Sequence, residues 1–247
     1  MRVMIFSGTT EGRELSWRLA EAGAQVTVSV ATDYGSEEQG ARPGVTVLSG
    51  RMPVEEMTER LREMDLCVDA THPYAARVTA SIQKACEAAG TPRLRLLRQE
   101  SEYPAGTVVL ESAAEAAAYL GDKPGNILLT TGAKELSAWA AIPPERLCPR
   151  ILPSHESLSA CEALGIPHRN ICAMQGPFSQ AMNEALLRQY DIAWLVTKDG
   201  GAPGGFPEKR AAAESLGIPM IVLRRPDDRG QSFEEVLAAC LEKQNIT

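Results

Sequence analysis

Short apolar runs alternate with amphipathic stretches along the first hundred residues, and this alternation leaves few folds open to the chain. Five runs read as buried strands: residues 3–6, 26–30, 46–48, 66–70 and 93–97. Apolar residues at helical spacing lie between them, with one helix expected to start at Pro53 and two others to stop at Gly23 and Gly90. Strands that alternate with helices form right-handed crossovers, so the pattern predicts a parallel sheet flanked by helices.

The second half of the chain repeats this rhythm. Its strand candidates are residues 108–110, 127–131, 148–152, 171–174, 193–197 and 220–223, and a last helix is predicted over residues 233–243. The polar segment Arg98-Gln99-Glu100-Ser101-Glu102 separates the two series. We therefore expect two α/β domains, residues 1–99 and 100–247, with a cleft between them.

Charge and composition exclude several classes of function. The chain has 25 basic and 32 acidic residues, a net charge of −7, so a general nucleic-acid or anionic-membrane surface is not expected. No apolar run approaches the length of a membrane span, and the first residues lack a signal peptide's apolar segment. Six unpaired cysteines and three histidines offer no metal-site spacing. We expect a soluble cytoplasmic protein with reduced, mostly buried cysteines.

A glycine-containing turn follows the first strand and opens the first helix: Ser7-Gly8-Thr9-Thr10-Glu11-Gly12-Arg13. Glycine permits close approach of a phosphate to the backbone, and a helix N-terminus offers free N–H groups and partial positive charge. The G-x-x-x-G spacing is not the dinucleotide fingerprint G-x-G-x-x-G. A nucleotide site and an ordinary strand-to-helix turn are therefore both open.

The end of the second strand bears on the choice of nucleotide. NAD sites usually place an acidic residue about 20 residues beyond the glycines, where it holds the ribose hydroxyls. Here Ser29 and Thr32 occupy that region, and no acid precedes Asp33. A 2′-phosphate would tolerate hydroxyls and be repelled by a carboxylate, so NADPH is favoured over NADH, although Asp33 is close enough to reach the site.

His72-Pro73-Tyr74 follows the fourth predicted strand, at the edge where open α/β sheets bind ligands. Pro73 restricts the backbone of His72, so a stiff turn presents the imidazole. We expect His72 to donate a hydrogen bond to a cofactor or substrate. The other two histidines, at positions 155 and 168, are expected to be solvated.

A loop rich in glycine follows the strand at residues 193–197 and contains Lys198, Asp199, Gly200 and Gly201. Ordering such a loop costs backbone entropy, which suggests that it closes over a ligand. Lys198 is suited to pair with a substrate carboxylate or to donate a proton, and Asp199 to orient it.

Further polar residues near strand ends extend this candidate site. Gln175 and Ser179 follow the preceding strand, with Ser179 as an expected helix N-cap. Lys134 and Arg150 would give the rim a local positive charge suited to a polycarboxylate ligand. Isolated basic residues at strand ends are also often solvated, so the alternative stays open for each of them.

Six ordered segments together resemble the precorrin-6A reductase family of cobalamin biosynthesis, in its aerobic and anaerobic (cobalt-precorrin-6A) forms. Three of them are the segments at residues 8–13, 69–75 and 197–201 discussed above. The others are Leu96-Leu97-Arg98-Gln99-Glu100, Leu129-Thr130-Thr131-Gly132 and Met174-Gln175-Gly176-Pro177-Phe178-Ser179. The resemblance extends over essentially the whole chain.

The resemblance implies an NADPH-dependent reductase with two Rossmann-like domains, which reduces the C18–C19 double bond of a methylated tetrapyrrole polycarboxylate with hydride delivered to C19. It implies substrate contact or proton delivery at Lys198 and Asp199. Handover of the product to neighbouring pathway enzymes is a further expectation. The cofactor contacts it implies are Gly8, Thr9, Thr10, Glu11, Gly12, Arg13, Ser29, Thr32, His72, Pro73 and Tyr74.

Three other functions compete with this one. A short-chain dehydrogenase needs Tyr-x-x-x-Lys on one helix, but glycines and a proline beside Tyr119 and Lys123 break any helix there. A tetrapyrrole methyltransferase would bind a similar substrate beside a glycine-rich turn, with S-adenosylmethionine in place of NADPH. A non-catalytic NADPH-binding module would bind the nucleotide without oxidising it.

Overall fold

The computed structural model of the chain describes residues 1–97, 101–103, 106–226 and 228–246. It divides into two compact units. Unit 1 comprises Met1–Gln99 together with Pro226–Thr247, and unit 2 comprises Glu100–Arg225. The last segment of the chain therefore belongs with the first domain, which corrects our assignment of residues 226–247 to the second. Residues 98–100, where we expected the boundary, lie outside the described residues.

The strands and helices follow one another in regular alternation. The strands are Arg2–Ser7 (β1), Gln25–Val30 (β2), Val45–Ser49 (β3), Leu66–Ala70 (β4), Arg93–Arg95 (β5), Val108–Leu110 (β6), Asn126–Leu129 (β7), Leu147–Ile151 (β8), Cys172–Ala173 (β9), Ile192–Lys198 (β10) and Met220–Leu223 (β11). The α-helices are Thr10–Glu21 (α1), Asp33–Gln39 (α2), Val54–Leu61 (α3), Ala76–Ala89 (α4), Ala113–Leu120 (α5), His155–Ala163 (α6), Gln180–Gln189 (α7), Phe206–Leu216 (α8) and Phe233–Ile246 (α9). Short 3₁₀ turns cover Ala133–Trp139, Pro144–Arg146, His168–Asn170 and Ala202–Gly204.

Each unit contains one parallel sheet. In unit 1 the strand order is β3-β2-β1-β4-β5, and in unit 2 it is β6-β11-β10-β7-β8-β9. Adjacent strands pair in parallel throughout both sheets. The predicted α/β class, with parallel sheets flanked by helices, is confirmed.

Helices cover both faces of the unit 1 sheet, which explains why its central strand is apolar without alternation. Along β1, Val3 and Ile5 pack on one face in a core that includes Val236 and Cys240 of α9. Met4 and Phe6 point to the other face. Because α9 buries its apolar side chains in this core, the C-terminal segment is part of unit 1.

Unit 2 is built in the same way. Leu129, Val196 and Ile221 pack in one core, and their strand neighbours Leu128, Leu195 and Val222 pack in the other. All six cysteines of the chain are free and buried, as expected. Burial raises the pKa of Cys240 to about 12, so this thiol stays protonated and unreactive.

Three local features differ from the sequence prediction. Helix α2 was not predicted, because its sequence DYGSEEQ offers no apolar stripe. The strand expected at residues 171–174 is reduced to Cys172–Ala173, and α3 begins one residue after Pro53, which lies at its N-cap. As predicted, in contrast, Tyr119 and Lys123 do not share a helix, because α5 ends before Lys123.

No helix in the described part of the chain is long and apolar enough to cross a membrane.

Candidate functional site

The strand order of unit 1 reverses between β1 and β4, because the chain proceeds from β1 to β2 on one side and returns to β4 on the other. Ligands of open α/β sheets bind at this switch point, beside the carboxyl ends of the strands. The loops after β1 and β4 meet here. The Thr9 hydroxyl donates to the Ala70 carbonyl at 3.0 Å, and a Cβ built on Gly8 would lie 3.6 Å from the His72 backbone nitrogen.

The two glycines of the first turn have different roles. A Cβ on Gly12 would lie 2.8 Å from the Ala70 Cβ and 2.9 Å from the Ser7 hydroxyl, so close packing of α1 on the sheet requires glycine at this position. A Cβ on Gly8 would make only ordinary van der Waals contact. The fold of unit 1 does not itself require glycine there, and Gly8 lies beside the start of α1.

A cavity of about 310 Å³ opens beside this turn, within unit 1. Four residues predicted from the sequence as cofactor contacts line it: Gly8, Thr9, Arg13 and Thr32. The remaining lining residues are Ser7, Val30, Ala31, Tyr34, Gly35, Glu38 and Gln39. Five of these lie in α2 or in the loop before it. The sequence did not predict this helix, although its N-cap residue Thr32, which accepts a hydrogen bond from the Gly35 N–H at 3.1 Å, was an available signal.

Other predicted contacts lie close to the cavity without lining it. Thr10 is exposed, and Gly12 is buried in the helix–sheet contact. Ser29 is buried in β2. Glu11 and the His72-Pro73-Tyr74 turn are also not among the lining residues.

The acidic residues around the cavity bear on the choice of cofactor. Asp33 is not among the lining residues, and its carboxylate accepts a hydrogen bond from the Ser49 hydroxyl at 2.8 Å. Glu38 does line the cavity, but Arg13 donates to its carboxylate at 3.1 Å and to its backbone carbonyl at 2.8 Å. The Glu38 carboxylate at this wall of the cavity is therefore paired with the Arg13 guanidinium.

A buried ionic network holds the His72 turn. Arg95 donates to the Asp69 side chain at 3.1 Å and to the Thr71 carbonyl at 2.9 Å, and its other side pairs with Asp228 at 2.7 Å. Asp69 also accepts from the Thr71 hydroxyl. Neither Arg95 nor Asp228 was singled out in the sequence, because they lie 133 residues apart and only the fold brings them together.

The turn itself fixes the tautomer of a neutral His72. The backbone N–H of Tyr74 donates to His72 Nδ1 at 3.3 Å, which leaves the proton of the neutral ring on Nε2. His72 can therefore serve as the hydrogen-bond donor expected from the sequence.

These features of unit 1 fit a bound dinucleotide. The start of α1 supplies backbone N–H groups and partial positive charge, and Gly8, which has no side chain, lines the cavity and lets a phosphate approach its backbone. The cavity wall also contains the side chains of Thr9 and Thr32, which carry hydroxyl groups.

The strand order of unit 2 reverses between β7 and β10. Lys198 lies at the carboxyl end of β10, where its ammonium pairs with Glu135 at 2.7 Å. Glu135 follows β7 in the 3₁₀ turn Ala133–Trp139. The ion pair therefore spans the switch point and holds the Lys198 side chain there. Lys134, beside Glu135, is exposed.

Asp199 is completely buried, and both oxygens of its carboxylate make contacts that order its loop. Its carboxylate accepts from the backbone and hydroxyl of Ser101, both at 2.8 Å, and from the Gly201 backbone at 2.9 Å. It also pairs with Arg225 at 3.2 Å. Burial alone would raise the pKa of Asp199, but these hydrogen bonds and the Arg225 charge outweigh burial and lower it. Asp199 is thus a positioning residue, and Gly200 and Gly201 are buried in the loop it organises.

Arg150 is buried at the carboxyl end of β8 and is held in place by polar and aromatic contacts. It donates to the Asn183 side chain at 2.7 Å, and its guanidinium lies 4.2 Å from the centre of the Phe178 ring. Burial lowers its pKa to about 10. Ser179 caps α7 by accepting from Met182, as predicted, and Gln175 is exposed.

A buried lysine of unit 2 was not predicted from the sequence. Lys209, in the first turn of α8, is only 6% exposed. Burial and the neighbouring Arg150 charge lower its pKa to about 8. Its spacing from Phe206, Ala212 and Ala213, all on the core face of the helix, is the signal that was available.

Within the described residues, no group of three or more His, Cys, Asp or Glu side chains is arranged to hold a metal ion.

Comparison with known proteins identifies the family. A family model described as Precorrin-6x reductase CbiJ/CobK matches residues 2–241. A cobalt-precorrin-6A reductase of Methanothermobacter thermautotrophicus is 37% identical over 92% of this chain and 77% of its own length. One from Priestia megaterium is 33% identical over 98% of both chains. A solved structure of CobK precorrin-6A reductase superimposes with a TM-score of 0.78 at 26% identity, covering 98% of this chain and 96% of the other. The chain belongs to the precorrin-6x reductase family.

Proposed function

We propose that this protein reduces the C18–C19 double bond of precorrin-6A, or of its cobalt form, to the corresponding precorrin-6B, with NADPH as reductant. The observation that carries the proposal is the cavity at the carboxyl ends of β1 and β2, beside the β1–β4 switch point, in a chain that belongs to a reductase family. Such a switch point is the usual place for a nucleotide cofactor in a parallel α/β sheet.

The cofactor is assigned to unit 1 on the basis of its first turn. The pyrophosphate would bind at the start of α1, above Gly8, with the Thr9 hydroxyl beside it. The ribose would lie toward Thr32. His72, held by the network around Asp69 and Arg95, would donate from Nε2.

The preference for NADPH over NADH rests on the charges around the cavity. The Asp33 carboxylate is turned to Ser49, and the Glu38 carboxylate is accompanied by Arg13. An acid free to hold two ribose hydroxyls is not found among the described residues that line the cavity. A 2′-phosphate is a stronger anionic partner than a carboxylate, so Arg13 would leave Glu38 and pair with the phosphate.

The substrate is assigned to the carboxyl edge of the unit 2 sheet. Lys198 and Arg150 lie at the ends of β10 and β8, and Lys134 follows β7, in a chain whose net charge is −7. A local group of cations in an acidic protein suits a ligand with several carboxylates. The named relatives act on precorrin-6A or its cobalt form, which supports this substrate class.

Chemically, the protein must hold the two reactants in register and keep water away. NADPH, when bound, supplies the hydride for C19. Lys198, fixed by Glu135, would stabilise the negative charge that develops on the conjugated ring. Asp199 would act on the reaction indirectly, because it fixes the backbone that follows Lys198. A proton is also required, and Lys198 is one candidate donor.

The proposal is tested by anaerobic NADPH oxidation with metal-free and cobalt-loaded precorrin-6A side by side. We expect stoichiometric loss of NADPH absorbance with at least one of the two tetrapyrroles. NADPH binding without oxidation by either substrate would indicate a non-catalytic binding module. Consumption of S-adenosylmethionine, with no need for NADPH, would indicate a methyltransferase instead.

A further inference from the structure

Lys209 occupies a position where a charged side chain is unusual. It lies on the core face of α8 with Phe206, Ala212 and Ala213, and only 6% of its surface is exposed. Lysine is almost never buried to this extent unless it is paired. The helix begins directly after the glycine-rich loop, so Lys209 is also close to the candidate substrate site.

No acceptor satisfies this ammonium in the part of the chain that the structure describes. No hydrogen bond or ion pair to Lys209 Nζ is found there. Asp199 attracts it electrostatically, but both oxygens of that carboxylate are already occupied by Ser101, Gly201 and Arg225. Glu208 also attracts it, yet the two side chains do not come within ion-pair distance, and one Glu208 oxygen is buried without a hydrogen bond.

A second buried cation makes the position more costly still. The Arg150 charge disfavours the charged form of Lys209. Arg150 itself contacts the neutral groups Asn183 and Phe178, and no carboxylate pairs with it among the described residues. Phe178 connects the two regions, since a Cβ on Gly205, immediately before α8, would lie 3.9 Å from its backbone nitrogen.

Asp199 and Glu208 only partly offset the burial of Lys209, and no carboxylate pairs with Arg150 among the described residues, so the two cations are unfavourable in the unliganded fold and favourable once an anion enters. Burying an uncompensated charge costs free energy, and an incoming carboxylate would recover that cost through charge-assisted hydrogen bonds. The arrangement therefore indicates a site for an anionic oxygen group in unit 2. Of the groups that the chain is proposed to bind, a side-chain carboxylate of the macrocycle has this chemistry.

We propose that Lys209 and Arg150 together bind one carboxylate arm of the tetrapyrrole, and that Lys209 is a substrate-binding residue of this enzyme. The inference rests on the proposed function for the identity of the ligand. The planar Arg150 guanidinium is suited to one carboxylate edge, and the Lys209 ammonium to the other oxygen. The cofactor phosphates are the other source of an anionic oxygen, and they are assigned to the cavity in unit 1.

The test uses the full-length protein with Lys209→Met, which keeps the volume and removes the charge. We expect the KM for the tetrapyrrole to rise roughly tenfold to hundredfold, the range for loss of one charged hydrogen bond. The kcat at saturation should change by less than about threefold, since this contact is made in the ground state and the transition state alike. Lys84→Met, at an exposed lysine of α4, is the control and should leave both constants unchanged.

Arg150→Met and the double variant test whether the two cations share one carboxylate. If they do, the increase in KM of the double variant should be clearly smaller than the product of the single increases. Multiplicative effects would show that they hold separate groups and would overturn the shared site. An unchanged tetrapyrrole KM in Lys209→Met would overturn the assignment of Lys209, and a raised KM for NADPH alone would assign it to the cofactor.

Direct binding separates this inference from the proposed function. The tetrapyrrole is titrated into wild type and Lys209→Met without NADPH, and bound ligand is followed by its absorbance. Tight binding by wild type and weakened binding by the variant would support the carboxylate site even if no reduction were observed. Equal binding by both, together with normal reduction by wild type, would leave the reductase function intact and contradict the role of Lys209.

Discussion

Lys209 shows how a single residue can oppose stability while serving a ligand. Burial and the Arg150 charge lower its pKa from an ordinary 10.5 to about 8. Below pH 8 the folded protein must keep an unfavourable charge, which costs on the order of 3 kcal/mol of unfolding free energy. Between about pH 8 and 10.5 the unfolded chain binds the extra proton, so this cost disappears as the pH rises.

We therefore expect Lys209→Met to stabilise the protein at pH 7 by about 1–3 kcal/mol, with the gain shrinking toward pH 10. Urea unfolding of wild type and variant at pH 7 and pH 9.5 measures the two differences. The same variant should bind substrate more weakly. A gain that did not depend on pH would show that the lysine is not held at a depressed pKa.

Lys198 should contribute mainly to turnover. Its ammonium is held at the unit 2 switch point by Glu135, so Lys198→Ala removes a fixed cation from the proposed reaction site. We expect kcat to fall roughly a hundredfold, with the KM for NADPH within about twofold of wild type. Glu135→Gln, which keeps the lysine but loosens it, should have a smaller effect. Loss of NADPH binding in Lys198→Ala would show that this loop belongs to the cofactor site instead.

The sequence predicts which single residues form motifs at strand ends, but it does not predict which residues pair with one another in the fold. Lys198, Arg150 and His72 stand out because each lies at or just after the carboxyl end of a recognisable strand. The role of Asp199 as the acceptor of Ser101 and Arg225 could not be predicted, since its partners lie 98 residues before it and 26 residues after it. Lys209 was missed because a lysine in a helix is ordinarily solvated.

At the scale of single elements, the turn between β1 and α1 carries the cofactor assignment, and its two glycines provide a matched pair. Gly12→Ala introduces a Cβ 2.8 Å from Ala70 and should destabilise the fold by about 1–3 kcal/mol. Gly8→Ala introduces only an ordinary contact at 3.6 Å, so its unfolding free energy should stay within about 0.5 kcal/mol of wild type.

The NADPH affinity should respond in a different way. We expect Gly8→Ala to weaken NADPH binding roughly tenfold or more, because its methyl group fills the space assigned to the pyrophosphate. Calorimetric titration of both variants measures this. A stable Gly8→Ala protein with wild-type affinity for NADPH would place the pyrophosphate elsewhere.

Elements whose burial is strong were predicted well. Strands β4 and β11 have the bounds expected from their apolar runs, because strands inside a covered parallel sheet are apolar on both faces. Helix α2 was missed because its sequence DYGSEEQ offers no apolar stripe, and it is held to the rest of unit 1 by polar contacts such as Arg13 with Glu38 and Gln39 with Ser16. That helix nevertheless supplies Tyr34 and Gln39 to the cavity.

At the scale of the whole molecule, the chain order and the domain order differ. Unit 1 is completed by α9, and the Arg95–Asp228 pair joins the two separated parts of its sequence. Local sequence patterns predict the helix α9, but they do not predict which of the two sheets it packs on, because nothing in residues 226–247 distinguishes the two units. The division of labour between a nucleotide unit and a tetrapyrrole unit is the central proposal.

Transfer of deuterium tests that proposal most directly. NADPH labelled with deuterium at C4 of the nicotinamide, on either face in separate experiments, is incubated anaerobically with the protein and precorrin-6A or its cobalt form, and the product is analysed by mass spectrometry. We expect one deuterium atom in the reduced tetrapyrrole from one of the two labelled cofactors. A reduced product without label from either cofactor, or no reduced product with either tetrapyrrole, would contradict hydride transfer from NADPH in this protein.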